Sequence, residues 1–155
     1  MKSIKLISCL CVAMLSHLAY ADSVGMPKNT PKAYETECAS CHMAYPPGLL
    51  PNKNWQNIMQ NLDKHFGNDA TMDAKSLQEI SAWLKKNAAN WVSKYGRSSL
   101  DNRITKTAWF ERKHKEIEPA IWQRPSIKTK ANCTACHTAG AKGDFGDDDV
   151  KIPAK

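Results

Sequence analysis

Cys38-Ala39-Ser40-Cys41-His42 and, 95 positions further on, Cys133-Thr134-Ala135-Cys136-His137 are the two stretches that decide the reading of this chain. Both have the form C-x-x-C-H. Two cysteines one turn apart can each form a thioether to a vinyl group of a haem, while the histidine that follows swings beneath the ring to ligate its iron. One copy could be accidental; two in so short a chain point to two covalently attached haems c. A zinc site of paired C-x-x-C motifs would set the pairs about 15–20 residues apart and has no need of two trailing histidines. A thioredoxin-like redox pair needs a βαβ setting that the surrounding sequence lacks. Two structural disulfides, in an oxidising compartment, are the remaining alternative.

Each haem iron has a second axial position, and few residues can fill it. Beyond residue 21 the chain holds four histidines, of which only His65 and His114 stand outside the motifs. Each lies on an apolar, helix-spaced stretch beside an aromatic residue, Phe66 and Phe110 respectively. The simplest assignment is histidine at every axial position, His42 with His65 and His137 with His114, each pair 23 positions apart. Methionine competes for the first iron, from Met59 or Met72, because Met/His pairs are common in cytochromes c. Met59 shares a helical face with His65, where core packing is its other role. A crossed pairing of the histidines stays open too, since sequence separation is only a soft guide to loop closure.

The N-terminus reads as an export signal over residues 1–21. Lys2 and Lys5 supply positive charge, Leu6 to Leu18 an apolar stretch, and Ala19-Tyr20-Ala21 a small-residue cleavage site. That stretch is short of the ~20 residues that span a bilayer, so no membrane span is expected after cleavage, and the expected location is periplasmic. Cleavage removes Cys9, Cys11 and His17 and leaves 134 of the 155 residues, with 20 basic against 15 acidic, a formal charge of +5. Four ionised propionates from two haems would bring this close to +1, so the basic composition argues for no nucleic-acid partner.

The rest of the chain reads as all-α. Helices are expected over about 32–43, stopped by Pro46-Pro47; over Trp55, Ile58, Met59 and Leu62 to His65-Phe66, stopped by Gly67; and over about 73–89, with Leu77, Ile80, Trp83, Leu84 and Trp91 on one stripe. Polar residues around Gly96 suggest a linker. Phe110, His114, Ile117 and Ile121 then share a helical face that Pro119 should end or bend near Glu118. The division that follows is a signal segment 1–21, an N-terminal haem domain 22–92, a linker 93–102 and a small, less regular C-terminal haem domain 103–155. The segment 103–130 holds eight basic and three acidic residues, which suits either a docking face or a solvated one.

Several of these residues together resemble the small bacterial diheme cytochromes c that act with the oxygen-binding monohaem cytochrome called sphaeroides haem protein. The carriers are Glu37 through His42, Ala44-Tyr45-Pro46-Pro47, Trp55 through His65-Phe66-Gly67, Arg103-Ile104-Thr105, Trp109-Phe110 with His114, and Asn132 through His137. The resemblance spans roughly 33–153. It implies a class-I-like N-terminal cytochrome domain, a less regular C-terminal haem domain and histidine at both axial positions of both irons. It further implies a carrier that reduces a partner haem protein. Four histidines for four axial positions also point away from an enzyme, toward electron transfer. The alternative, a haem enzyme or gas-binding sensor, needs one displaceable ligand and acid–base groups beyond the ligands, for which no surplus histidine remains.

Overall fold

Three short helices and the loops between them build the first half. The computed structural model describes residues 24–89 and 99–154. The export signal 1–21, Trp91 and most of the expected linker lie outside the described residues. Helix α1 spans Lys32–Cys38, α2 Asn52–Gln60 and α3 Ala74–Asn87. Pro31 and Pro51 stand just before the first two, where proline's fixed φ suits the approach to a helix, and their carbonyls accept from Glu35 and from Asn54 and Trp55. Asp73 caps α3, accepting from the backbone N–H of Lys75 and Ser76 at 2.9 and 3.1 Å. Lys85 and Lys86 lie at its negative end.

The three helices meet over Tyr34, Leu50, Trp55, Met59, Leu62, Ile80, Trp83 and Leu84, all buried, with Tyr34 and Trp83 in ring contact at 4.5 Å. Two polar contacts hold the chain to this core where it is not helical: Trp55 Nε1 donates to the Pro47 carbonyl at 2.7 Å, and Ala89 N–H to the Leu50 carbonyl at 3.0 Å.

The second half has little regular structure. Helix α4 is Ala108–Lys113 and α5 is Pro119–Trp122; the rest is 3₁₀ turns at Ile104–Lys106, Cys133–Ala135, Gly140–Lys142 and Asp147–Asp149. Thr107 starts α4, its hydroxyl accepting from Phe110 N–H and donating to the Ile104 carbonyl. The apolar cluster here joins Leu49, Trp109 and Phe110 with Val24, Tyr45, Ile104, Trp122 and Phe145, so residues before the expected linker pack with residues after it. Buried Asn54 of α2 ties the halves further, donating to the Ser99 carbonyl and to Asn102 Oδ1 at 2.6 and 2.8 Å. The fold is helical, and no strand occurs among the described residues.

Helix boundaries differ from expectation in three places, each for a local reason. Helix α1 ends at Cys38 rather than near Met43, so the rest of the first motif lies in a turn. Helix α2 stops at Gln60, because Asn61 leaves helical geometry (φ −133°) and its amide donates back to the Asn57 carbonyl. Pro119 opens a helix instead of ending one: α4 is already finished at His114, and proline occupies the first turn of α5, where a missing N–H costs nothing.

Candidate haem sites

His42 follows the end of α1 by four residues and faces His65, with ring centres 6.2 Å apart and planes inclined by 29°. His65 is not on a helix. After the 3₁₀ turn Leu62–Lys64 the chain reverses through Phe66 (φ 52°) and Gly67 (φ 100°), and Asn68 N–H returns to the His65 carbonyl at 3.0 Å. Two consecutive positive φ values make a tight type I′-like reversal, natural for Gly67 and strained for Phe66. The Phe66 ring is covered by the Arg103 guanidinium at 4.3 Å, itself paired with Asp101 at 3.4 Å. The second half thus secures the turn that presents His65.

His114 is the residue that ends α4, and it faces His137 with ring centres 6.1 Å apart and planes nearly perpendicular at 79°. Phe110 stacks on the His114 ring at 4.0 Å, and Trp122 lies 5.7 Å away. Phe145 meets the His137 ring edge-on at 5.5 Å. The chain's tail closes the site from behind: Lys151 N–H donates to the Cys136 carbonyl at 2.9 Å, and Arg124 holds the Pro153 carbonyl.

Two imidazoles that bind one metal from opposite sides, at about 2 Å per bond, have ring centres about 6 Å apart. Both pairs have that separation. The available nitrogens also suit ligation. His42 Nδ1 donates to the Met43 carbonyl at 2.7 Å and His114 Nδ1 to the Phe110 carbonyl at 2.9 Å, which leaves each Nε2 with its lone pair. His137 Nδ1 is buried and has no hydrogen-bond partner among the described residues, a costly state in an apolar setting unless a bound group meets the ring. Burial lowers the pKa of His65, His114 and His137, helped by the facing histidine for His65 and His137, so these rings are held in the neutral, metal-binding form.

The cysteines are placed for attachment and not for thiolate chemistry. All four in the described residues are free thiols. Burial pushes Cys38 and Cys133 up to about 11, opposite to the depressed values of redox-active or metal-binding cysteines. Among the described residues no three His, Cys, Asp or Glu side chains converge as an ion cage, which the four-ligand zinc alternative requires.

Around the second pair lies a cavity enclosing, with its mouth, about 1010 Å³. Its walls include Phe110, Ile117, Ile121, Trp122, Ile127 and Phe145, with both cysteines and both histidines of the site; Lys113, Lys130 and Asp147 stand at its polar edge. That volume is at the upper end of the about 300–1,000 Å³ of cofactor and ligand pockets, and the lining suits a flat, apolar macrocycle.

The family model described as dihaem cytochrome c matches residues 34–145. The chain belongs to the dihaem cytochrome c family. It is similar to a solved diheme cytochrome c from Rhodobacter sphaeroides, with 36% identity over 76% of this chain and 98% of that one, and a TM-score of 0.67. A diheme cytochrome type c from Shewanella baltica OS155 matches with 37% identity over 81% and 96% of the two chains and a TM-score of 0.70. No curated protein matches the chain in sequence. Its cofactors are accordingly two haems c, and its family is one of electron-transfer haem proteins.

The structure gives the methionines other work. Met59 is buried in the α2–α3 core and Met72 packs against the same cluster, while the ring facing His42 is that of His65. Reading by sequence missed Asn54, Arg103 and the tail residues that close the second site, because nothing in their local pattern marks a contact dozens of residues away.

Proposed function

We propose that this dihaem cytochrome c is an exported, periplasmic electron carrier in which His42 and His65 ligate one iron and His114 and His137 the other. Cys38 and Cys41 attach the first haem, and Cys133 and Cys136 the second. The observation that carries this reading is the pair of facing imidazoles at each motif, 6.2 and 6.1 Å between ring centres. With both axial positions taken by protein nitrogen, iron has no open position for a substrate, and the haem supplies only a one-electron couple. Residues 1–21 direct export, and no described helix is long and apolar enough to cross a membrane.

Electrons then pass by brief docking with a second redox protein. Lys113 and Lys130 at the edge of the second site, together with Arg112, Lys115 and Lys128, suit an acidic face on that partner. The resemblance in sequence points to a small oxygen-binding monohaem cytochrome c. Two measurements on the purified holoprotein test the proposal. Carbon monoxide should leave the spectrum of the reduced native protein unchanged; tight binding would mean that one axial ligand is displaceable and that the protein is an enzyme or sensor. Stopped-flow reduction of an acidic haem-protein acceptor should slow as ionic strength rises, because salt screens steering over about 10 Å at 0.1 M. A flat salt response would remove the basic face from the proposal.

A further inference from the structure

Tyr45 touches both haem-binding segments. Its ring packs on the imidazole of His42, with centres 4.8 Å apart and planes inclined by 31°. Its hydroxyl donates across 86 positions of sequence to the Ala131 carbonyl at 2.7 Å. The Cys133 sulfur lies 3.6 Å from that same oxygen. A short chain of contacts therefore runs from the His42 ring through the tyrosine ring and hydroxyl to Ala131 and the first attachment cysteine of the second site. The residue is also held from behind: the Tyr34 hydroxyl donates to the Tyr45 carbonyl at 2.5 Å. Tyr45 packs against both apolar clusters, that of the three helices and that around Trp109 and Phe110.

We propose that Tyr45 is the positioning residue that couples the two haem sites, fixing their attachment segments together and providing the bonded route along which an electron passes from one to the other. This inference rests on the two-haem carrier reading given above. Electron tunnelling decays more gently through bonds and hydrogen bonds than across van der Waals gaps, so a ring–hydroxyl–carbonyl link is a better conductor than the same space without it. In the exchange one ferrous iron loses an electron and the ferric iron of the other site gains it. Tyr45 is neither oxidised nor deprotonated; its role is to hold a contact.

The test uses the holoprotein, partly reduced, with nuclear magnetic resonance exchange between oxidised and reduced signals of each haem's methyl groups. Intramolecular exchange is separated from collisions by dilution. Tyr45→Phe keeps the ring on His42 and removes only the hydroxyl; the intramolecular rate should fall several-fold, with the low-spin signature and the reduction potential of each haem retained. Tyr34→Phe removes a neighbouring phenol hydroxyl that lies off the route, and its rate should match the wild type. An unchanged rate in Tyr45→Phe, or an equal fall in both variants, would overturn the proposal. So would a fall in Tyr45→Phe accompanied by an altered ligand signature at His42, since the ring would then serve only to pack the ligand. Failure of the carrier reading would show separately, as carbon monoxide binding by the unmutated protein.

Discussion

The same five-residue motif sits in two unlike settings. The first copy hangs from the end of α1, beside a helical core whose Leu50, Ile80 and Leu84 are essentially inaccessible to solvent. The second lies in a 3₁₀ turn, among helices of six and four residues, far below the length at which a helix holds itself together in water. Its fully buried residues are few, and its aromatic and branched side chains face a shared cavity rather than one another. A half with so little core relies on its cofactor to supply the missing apolar mass, much as small domains elsewhere rely on metals or crosslinks. Haem in the first half is added to a fold; in the second it is the centre of the fold.

The largest expected effect separates the halves directly. Cys133→Ala with Cys136→Ala should leave a protein with the mass of one haem and a second half that no longer holds native structure, read as lost near-ultraviolet dichroism and easy proteolysis within 103–154. Cys38→Ala with Cys41→Ala should also cost one haem but retain the helical signal of α2 and α3. Equal loss of structure in both variants would show that the two halves depend on haem to the same degree.

A second difference is spectroscopic. Ligand planes 29° apart at the first site should give an ordinary rhombic low-spin ferric signal in electron paramagnetic resonance. Planes 79° apart at the second should give a strongly axial low-spin signal with a larger principal g value. Two identical rhombic signals would erase this contrast between the sites.

The smallest effect compares two glycines in left-handed geometry. Gly67, at φ 100°, has nothing within 4 Å of where a Cβ would stand, so Gly67→Ala should cost only the backbone strain, about 1–2 kcal/mol. Gly143, at φ 83°, would put that carbon 2.4 Å from Met26 N and 2.8 Å from the Gly25 carbonyl carbon. Overpacking against backbone should add about 1–3 kcal/mol to the strain. Thermal unfolding of the two variants checks the order; a smaller loss for Gly143→Ala would mean that residues 25–26 are not held against the second half.

Much of this was legible in the chain. The two motifs name the cofactor, Asp73 and the stripe Leu77, Ile80, Trp83 and Leu84 mark α3, and the count of histidines singles out His65 and His114. Legibility failed where local periodicity was taken for helix. His65 continues the apolar spacing of α2 yet stands in a reversal, because Asn61 bonds its own preceding turn and Phe66-Gly67 turn the chain back. His114 likewise ends a helix that its spacing with Ile117 and Ile121 seemed to extend.

By itself the sequence determined the chemistry: which side chains can form thioethers, which can bind iron, and that helices carry them. Those properties reside in residue types and short spacings, where covalent geometry leaves little choice. Tertiary structure alone decided which histidine faces which, at what angle, and that Tyr45, Asn54 and Arg103 bind the halves together. These contacts join residues tens of positions apart, and only packing around the two apolar clusters brings them within hydrogen-bond or ring-contact distance.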